Sequence, residues 1–241
     1  FSNGELVKST KKNDMRTDHW SMKKPHAPYL AAMVVGEFAV FNDQWKNVPL
    51  KYIVEKDYAS SATAIFKNTP EMLTFYSSLL NYPYPWPKYD QAVVSDFVSG
   101  AMENTTMTIH GDMLKLNKRE LLDRNYEDVI AHELFHQWFG NVVTCESWAN
   151  LPLNESFATY GEYLWKEYKY GRNEADNHLQ NDLISYLNES SHKQEKLIRF
   201  NYESQEDMFD AHSYQKGGCV LHMLRKQVGD SAFFQALNLY L

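Results

Sequence analysis

Two histidines four residues apart, His132 and His136, constrain this chain more than any other feature. With Glu133 they form the stretch His132-Glu133-Leu134-Phe135-His136. On a helix that spacing puts both rings on one face, one turn above the other. Glu133 then projects beside that face. The pattern is H-E-x-x-H, two imidazoles suited to a zinc ion and a carboxylate placed as general base. The flanking residues agree with a helix. Tyr126 to Phe139 reads as amphipathic, with Val129, Ile130, Leu134, Phe135, Trp138 and Phe139 on its apolar surface. Asp123 or Asn125 can cap its start, Glu127 and Asp128 lie in its first turn, and Gly140 stops it.

A catalytic zinc needs a third protein ligand and one open position. Glu155 supplies a candidate, in the first turn of a second helix expected over Pro152 to Tyr170, where Pro152 suits the opening turn. If that helix runs back past the first, its early carboxylate reaches the histidine pair. The competing reading has His132 and His136 as satisfied core histidines and Glu155 as a solvated helix start.

Composition sets the outer bounds. A chain of 241 residues with 44% hydrophobic content can bury a large core, in one domain or one and a part. A formal charge of −7, with no basic cluster, argues against a nucleic-acid partner. No run is long and apolar enough for membrane insertion. Cys145 and Cys219 could pair, but a domain of this size needs no disulfide, and buried thiols are the expected state. The chain opens on Phe1 and stops at Leu241 inside a helical stretch, so a piece of a longer protein is expected, with any targeting segment outside it.

Residues 1–45 differ in character from the rest. Ser2 to Lys24 is polar, with a hairpin turn expected at Thr10 to Asp14. Tyr29 to Phe41 is β-rich and is expected to end near Asn42-Asp43, and Leu50 to Glu55 gives another strand. Helices are expected at Tyr58 to Lys67 and at Pro70 to Leu80, then a proline-rich connector over Tyr82 to Pro87. Gln91 to Val98 reads as a strand running into Ser99-Gly100. Gly100-Ala101-Met102-Glu103-Asn104 follows, and Thr105 to Ile109 is strand again. An exposed edge there could pair with an extended peptide while Glu103 meets a cationic group. Taken alone, the stretch is as well read as a bulge with a surface glutamate. Tyr214 opens a helical window over His212 to Val228 and by itself reads as a core tyrosine.

These motifs in this order resemble the gluzincin aminopeptidases, the family of alanyl aminopeptidase and leukotriene hydrolase. The resemblance rests on Gly100 to Asn104, His132-Glu133-x-x-His136 and, after eighteen intervening residues, Glu155. It extends through Trp138 to Asn141, Asn154 to Ala158 and Tyr214-x-Lys216-Gly217. It implies one zinc per chain held by His132, His136 and Glu155, with Glu133 as general base. It implies that Gly100, Ala101, Met102, Glu103 and Asn104 hold a peptide substrate, Glu103 taking its free α-amino group. Tyr214 would steady the tetrahedral oxyanion. Pro152 and Ser156 stand where many members have Trp and Gly, which bears on substrate preference rather than on the metal ligands.

The fold implied is α+β, a thermolysin-like zinc metallopeptidase catalytic domain with a small β-sheet lobe and a mainly helical lobe. It would occupy residues 46–241, truncated at its C-terminus, and residues 1–45 would end a preceding saddle-like β domain. The zinc would lie between the lobes. The implied partners are peptides with a free N-terminus, and the neighbouring domains of a full-length chain. Another zinc hydrolase on this scaffold, an endopeptidase or an epoxide hydrolase, is the alternative, although an acid waiting for an α-amine suits only a peptide terminus. A non-catalytic interaction domain ranks last, because all four metal-site residues are kept.

Overall fold

The computed structural model describes residues 1–241. It divides into two compact units of different character, Phe1–Pro70 with Pro85–Glu127, and Glu71–Tyr84 with Asp128–Leu241.

The first unit carries all the sheet structure. An exposed antiparallel hairpin, β1 (Glu5–Lys12) and β2 (Met15–Ser21), turns at Asn13 with φ +55°. The main sheet is built from β3 (Phe38–Trp45), β4 (Val48–Glu55), β5 (Tyr89–Val93), β6 (Ala101–Met102) and β7 (Met107–His110), with α1 (Ala62–Ile65) between β4 and β5 in sequence. Its order is β3-β4-β5-β7-β6, with parallel pairing in the middle and antiparallel strands at both edges. Ile53, Ala92, Met107 and Ile109 pack with Val34 into its buried core.

Several expected boundaries move. The β-rich reading of Tyr29 to Phe41 opens instead on a 3-10 turn at Pro28–Leu30, and the strand itself runs from Phe38 through Asn42-Asp43 to Trp45. The reversal falls at Lys46, which takes φ +51°, so residues on both sides of position 45 belong to one hairpin. The helix expected over Tyr58 to Lys67 is a 3-10 segment, Lys56–Ser61, followed by the single turn of α1. The strand expected over Gln91 to Val98 begins earlier, at Tyr89, and ends at Val93, and Asp96 then adopts φ +53°. Its central polar residues stay buried because each has a partner. Lys88 Nζ sits 2.6 Å from Asp90, and Gln91 donates to Thr69 Oγ1 at 2.9 Å.

The second unit is helical. After α2 (Thr69–Leu79), which starts at the junction, come α3 (Glu127–Phe135), α4 (Pro152–Tyr170), α5 (Arg172–Ser190), α6 (Gly217–Val228) and α7 (Asp230–Tyr240). The window from His212 begins with a π-turn, His212–Lys216, before α6. In the core, Tyr76 meets Phe135 edge to face, with ring centroids 5.0 Å apart. Its hydroxyl donates to the Gly161 carbonyl at 2.9 Å. Arg225 of α6 is bonded to Glu167 of α4 at 2.7 Å and to Asp230 of α7 at 2.9 Å, which ties three helices at one end. Cys145 and Cys219 form no disulfide and are half-buried. No helix is long and apolar enough to cross a membrane.

Candidate metal centre

Asn125 starts α3 by accepting the Glu127 N–H at 3.2 Å. Ile130, Ala131, Leu134 and Phe135 bury its apolar face. The helix ends at Phe135, not at Phe139. Gln137 and Trp138 bond back only three residues, to Leu134 and Phe135, and the chain reverses at Gly140. His136 lies one residue beyond the helix, yet its N–H still reaches the His132 carbonyl at 3.1 Å. The i, i+4 relation of the two rings therefore survives.

Helix α4 starts at Pro152, as its sequence predicts, and Glu155 falls in its first turn. Gly161 sets how closely α4 approaches α3. A Cβ there would lie 2.6 Å from Phe135 Cγ, so only a glycine permits this contact. The outcome is a convergence of three atoms. His132 Nε2 and His136 Nε2 are 3.1 Å apart, and each is 3.2 Å from Glu155 Oε2. All three side chains are buried.

A tetrahedral ion with bonds of about 2.0–2.1 Å holds its ligand atoms about 3.3–3.4 Å apart, close to this spacing. The far nitrogens fix the tautomers. His132 Nδ1 lies 2.7 Å from Glu162 Oε1 and His136 Nδ1 lies 2.9 Å from the Phe139 carbonyl. Those oxygens can only accept, so both Nδ1 atoms carry the hydrogens and both Nε2 lone pairs face inward. Two lone pairs and a carboxylate aimed at one point fit a cation.

Charge around the cluster is held accordingly. Burial would raise the Glu155 carboxyl, but His136 and His132 hold it well below the usual carboxylate range. Burial would depress the His132 imidazolium, and Glu155 and Glu162 override it, raising it well above the ordinary histidine value, so that a cation binding at Nε2 would displace a proton from that nitrogen. Glu162 is likewise held down to about 2 by His132 and His178 against its burial.

Glu162 is the residue that sequence reading missed. It stands seven residues, two turns, after Glu155 on the same stripe of α4, which is its one signal in the sequence. A carboxylate behind a ligating histidine orients the ring and raises its basicity. His178, which sequence spacing treats as an ordinary polar histidine, lies 3.1 Å from the other oxygen of Glu162. Asp182, one turn along α5, is pushed up to about 7, chiefly by burial and then by the Glu162 charge.

The remaining candidates fall as follows. Glu133 is buried beside His132 on α3. The Tyr214 ring stacks on the His132 ring, with centroids 5.9 Å apart and planes at 11°. Gly100 to Asn104 belong to the sheet unit, with Ala101 and Met102 forming β6, the last strand of that sheet. Glu103 and Asn104 follow it and are buried.

A model of the peptidase family M1 domain matches residues 65–241. Endoplasmic reticulum aminopeptidase 1 of Mus musculus is 32% identical over 257 residues, which cover all of this chain and 27% of that protein. Aminopeptidase N of Homo sapiens is 36% identical over 242 residues, which cover 92% of this chain and 25% of that protein. The chain thus spans about a quarter of the length of the curated relatives it matches. The crystal structure of an M1 zinc metallopeptidase from Deinococcus radiodurans superposes with a TM-score of 0.81 at 28% identity, covering 100% of this chain and 52% of that one. A mutant form of that protein, bound to the substrate Tyr-Ser-Ala, superposes with a TM-score of 0.80.

Proposed function

The chain belongs to peptidase family M1, and from that membership we propose that the protein is a zinc aminopeptidase that removes the N-terminal residue of peptides. The observation that carries the reading is the convergence of His132 Nε2, His136 Nε2 and Glu155 Oε2 within 3.1–3.2 Å, with both Nδ1 hydrogens turned outward to acceptors. The aminopeptidases among the relatives, and the peptide bound to the Deinococcus radiodurans protein, support the substrate class.

His132, His136 and Glu155 would hold the ion. Zinc held there supplies Lewis acidity, which brings the pKa of water down to about 7. Glu133, adjacent to a ligand and buried, takes the proton of the attacking water and hands it to the leaving amine. Tyr214, stacked on His132, donates its hydroxyl hydrogen to the oxyanion of the tetrahedral intermediate. One such donor is commonly worth about 10²–10³ in kcat. Glu162 keeps the His132 lone pair on the inner nitrogen.

In the sheet unit, the edge strand at Ala101-Met102 suits main-chain pairing with an extended peptide, and Gly100 and Asn104 flank it. Glu103 receives the free α-amino group. Residues 1–45 would be the end of a preceding β domain, and the neighbouring domains of a longer chain would complete the substrate cavity.

The test uses Glu103→Ala with matched substrates bearing a free or an acetylated N-terminus. Wild type should cleave only the free form, and the variant should lose most of that discrimination. A variant that still prefers free N-termini as strongly as wild type removes Glu103 from its role. Equal cleavage of both forms by wild type would instead favour an endopeptidase.

A further inference from the structure

Tyr214 sits in the π-turn His212–Lys216, closed by the Lys216 N–H on the Ala211 carbonyl at 2.8 Å. Such turns are rare and occur mostly as single-turn bulges in helices, frequently at functional sites. Two sets of buried groups that no step above uses grip it. On one side, Asp210 Oδ1 accepts the N–H groups of His212 at 3.1 Å and Ser213 at 2.9 Å, capping the turn. Arg199 meets that carboxylate through both ends of its fork, Nη1 to Oδ2 at 2.6 Å and Nη2 to Oδ1 at 3.0 Å. Nη2 also donates to Ser213 Oγ at 3.0 Å. The side chains of Arg199 and Asp210 are only 6% and 5% exposed. On the other side Ser156, the residue after Glu155, donates its hydroxyl to the Ser213 carbonyl at 2.6 Å.

A buried ion pair is weak as a source of stability, since apolar residues of similar volume commonly serve as well. A bidentate fork does what apolar packing does not, in fixing the direction of what it holds. Here it holds the residue before Tyr214, whose carbonyl is tied through Ser156 to the helix of Glu155. Burial would raise the Asp210 carboxyl, but Arg199 and Lys193 keep it down to about 2, so the pair stays charged across the neutral range.

We propose that Arg199 and Asp210 are positioning residues for the hydrolysis, setting where the Tyr214 hydroxyl stands relative to the Glu155 carboxylate. The inference rests on the oxyanion role proposed for Tyr214. A misplacement of about 1 Å can cost on the order of 10²-fold in rate, which sets the scale.

The experiment compares steady-state kinetics and zinc content of the intact, zinc-loaded protein across Tyr214→Phe, Arg199→Met, Arg199→Lys, Ser213→Ala and the pairs with Tyr214→Phe. Arg199→Met should lower kcat by about 10-fold or more while KM and zinc content stay put. Arg199→Lys, which keeps the charge and one donor, should recover part of that loss. Adding either to Tyr214→Phe should cost nothing further, because no hydroxyl remains to be placed. Should Arg199→Met fail to fold, Ser213→Ala carries the same test, as it removes only the Arg199 bond to that hydroxyl. Losses that multiply in the double variants overturn the proposal, as does full kcat in zinc-loaded Arg199→Met or Ser213→Ala. A fully active Tyr214→Phe would overturn the oxyanion reading itself, and this inference with it.

Discussion

Replacing Gly217 by alanine should destabilise the helical unit, and replacing Ser156 by glycine should rescue it. A Cβ built on Gly217 would stand 1.7 Å from Ser156 Oγ and 2.4 Å from Ser156 Cβ, whereas Ser156 Cα lies at an ordinary 3.4 Å. Ser156 cannot turn aside cheaply, because it is buried and its hydroxyl is committed to the Ser213 carbonyl. If it rotates, that buried carbonyl loses its partner, at about 1–3 kcal/mol. If it stays, α4 and α6 must part, and overpacking of this kind costs about 1–3 kcal/mol. Gly217→Ala should therefore cost roughly 1–3 kcal/mol. At about 2–4 °C per kcal/mol for a chain of this length, Tm should fall by roughly 2–12 °C. Ser156→Gly alone should cost about 1–2 kcal/mol, from the lost hydrogen bond and a glycine within a helix. The double variant should then melt close to Ser156→Gly, a coupling of roughly 1–3 kcal/mol, equal to the cost of Gly217→Ala alone. Thermal unfolding followed by circular dichroism on the four proteins reads this directly. Losses that simply add would refute the packing argument, and with it the idea that the serine and the glycine are fitted to each other.

Three further outcomes follow from the metal centre. Glu162→Ala should weaken zinc binding by about 10–100-fold in a chelator competition, because His132 loses the acceptor that fixes its tautomer. Glu133→Ala should abolish turnover yet bind one zinc per chain, a pairing of results that metal analysis and kinetics measure together. Asp182→Asn should stabilise the protein more at pH 8 than at pH 5. Its folded pKa of about 7 lies above the unfolded value near 3.8, so the native carboxyl loses stability as pH rises between them. Equal Tm gains at both pH values would show that Asp182 ionises normally in the fold.

The catalytic stretch was legible because its chemistry is local. His132, Glu133 and His136 lie within one turn, and Pro152 fixes the start of the helix that brings Glu155 to them. Glu162 was not legible, since a carboxylate two turns along a helix looks like any solvated acid until α3 is packed against it. The sheet was harder for a related reason. The sequence Tyr89-Asp90-Gln91 does not advertise a buried central strand, because its polar groups are satisfied by Lys88 and Thr69, outside the strand itself. The end of α3 shifted because one histidine satisfies its outer nitrogen on the Phe139 carbonyl, which requires a tighter turn than a continuing helix allows. The π-turn beneath Tyr214 leaves no periodic signal at all, since it adds one residue to a turn inside an otherwise helical window.

The most direct test of the central claim is hydrolysis of a panel of aminoacyl-p-nitroanilides, free and N-acetylated, with and without chelator, alongside metal analysis of the same sample. The account predicts one zinc per chain, cleavage of the free-amine substrates alone, loss of that cleavage with chelator and its return on adding zinc. A metal-replete protein that holds no zinc at His132, His136 and Glu155, or that cleaves these substrates equally well after the metal is stripped, would contradict it.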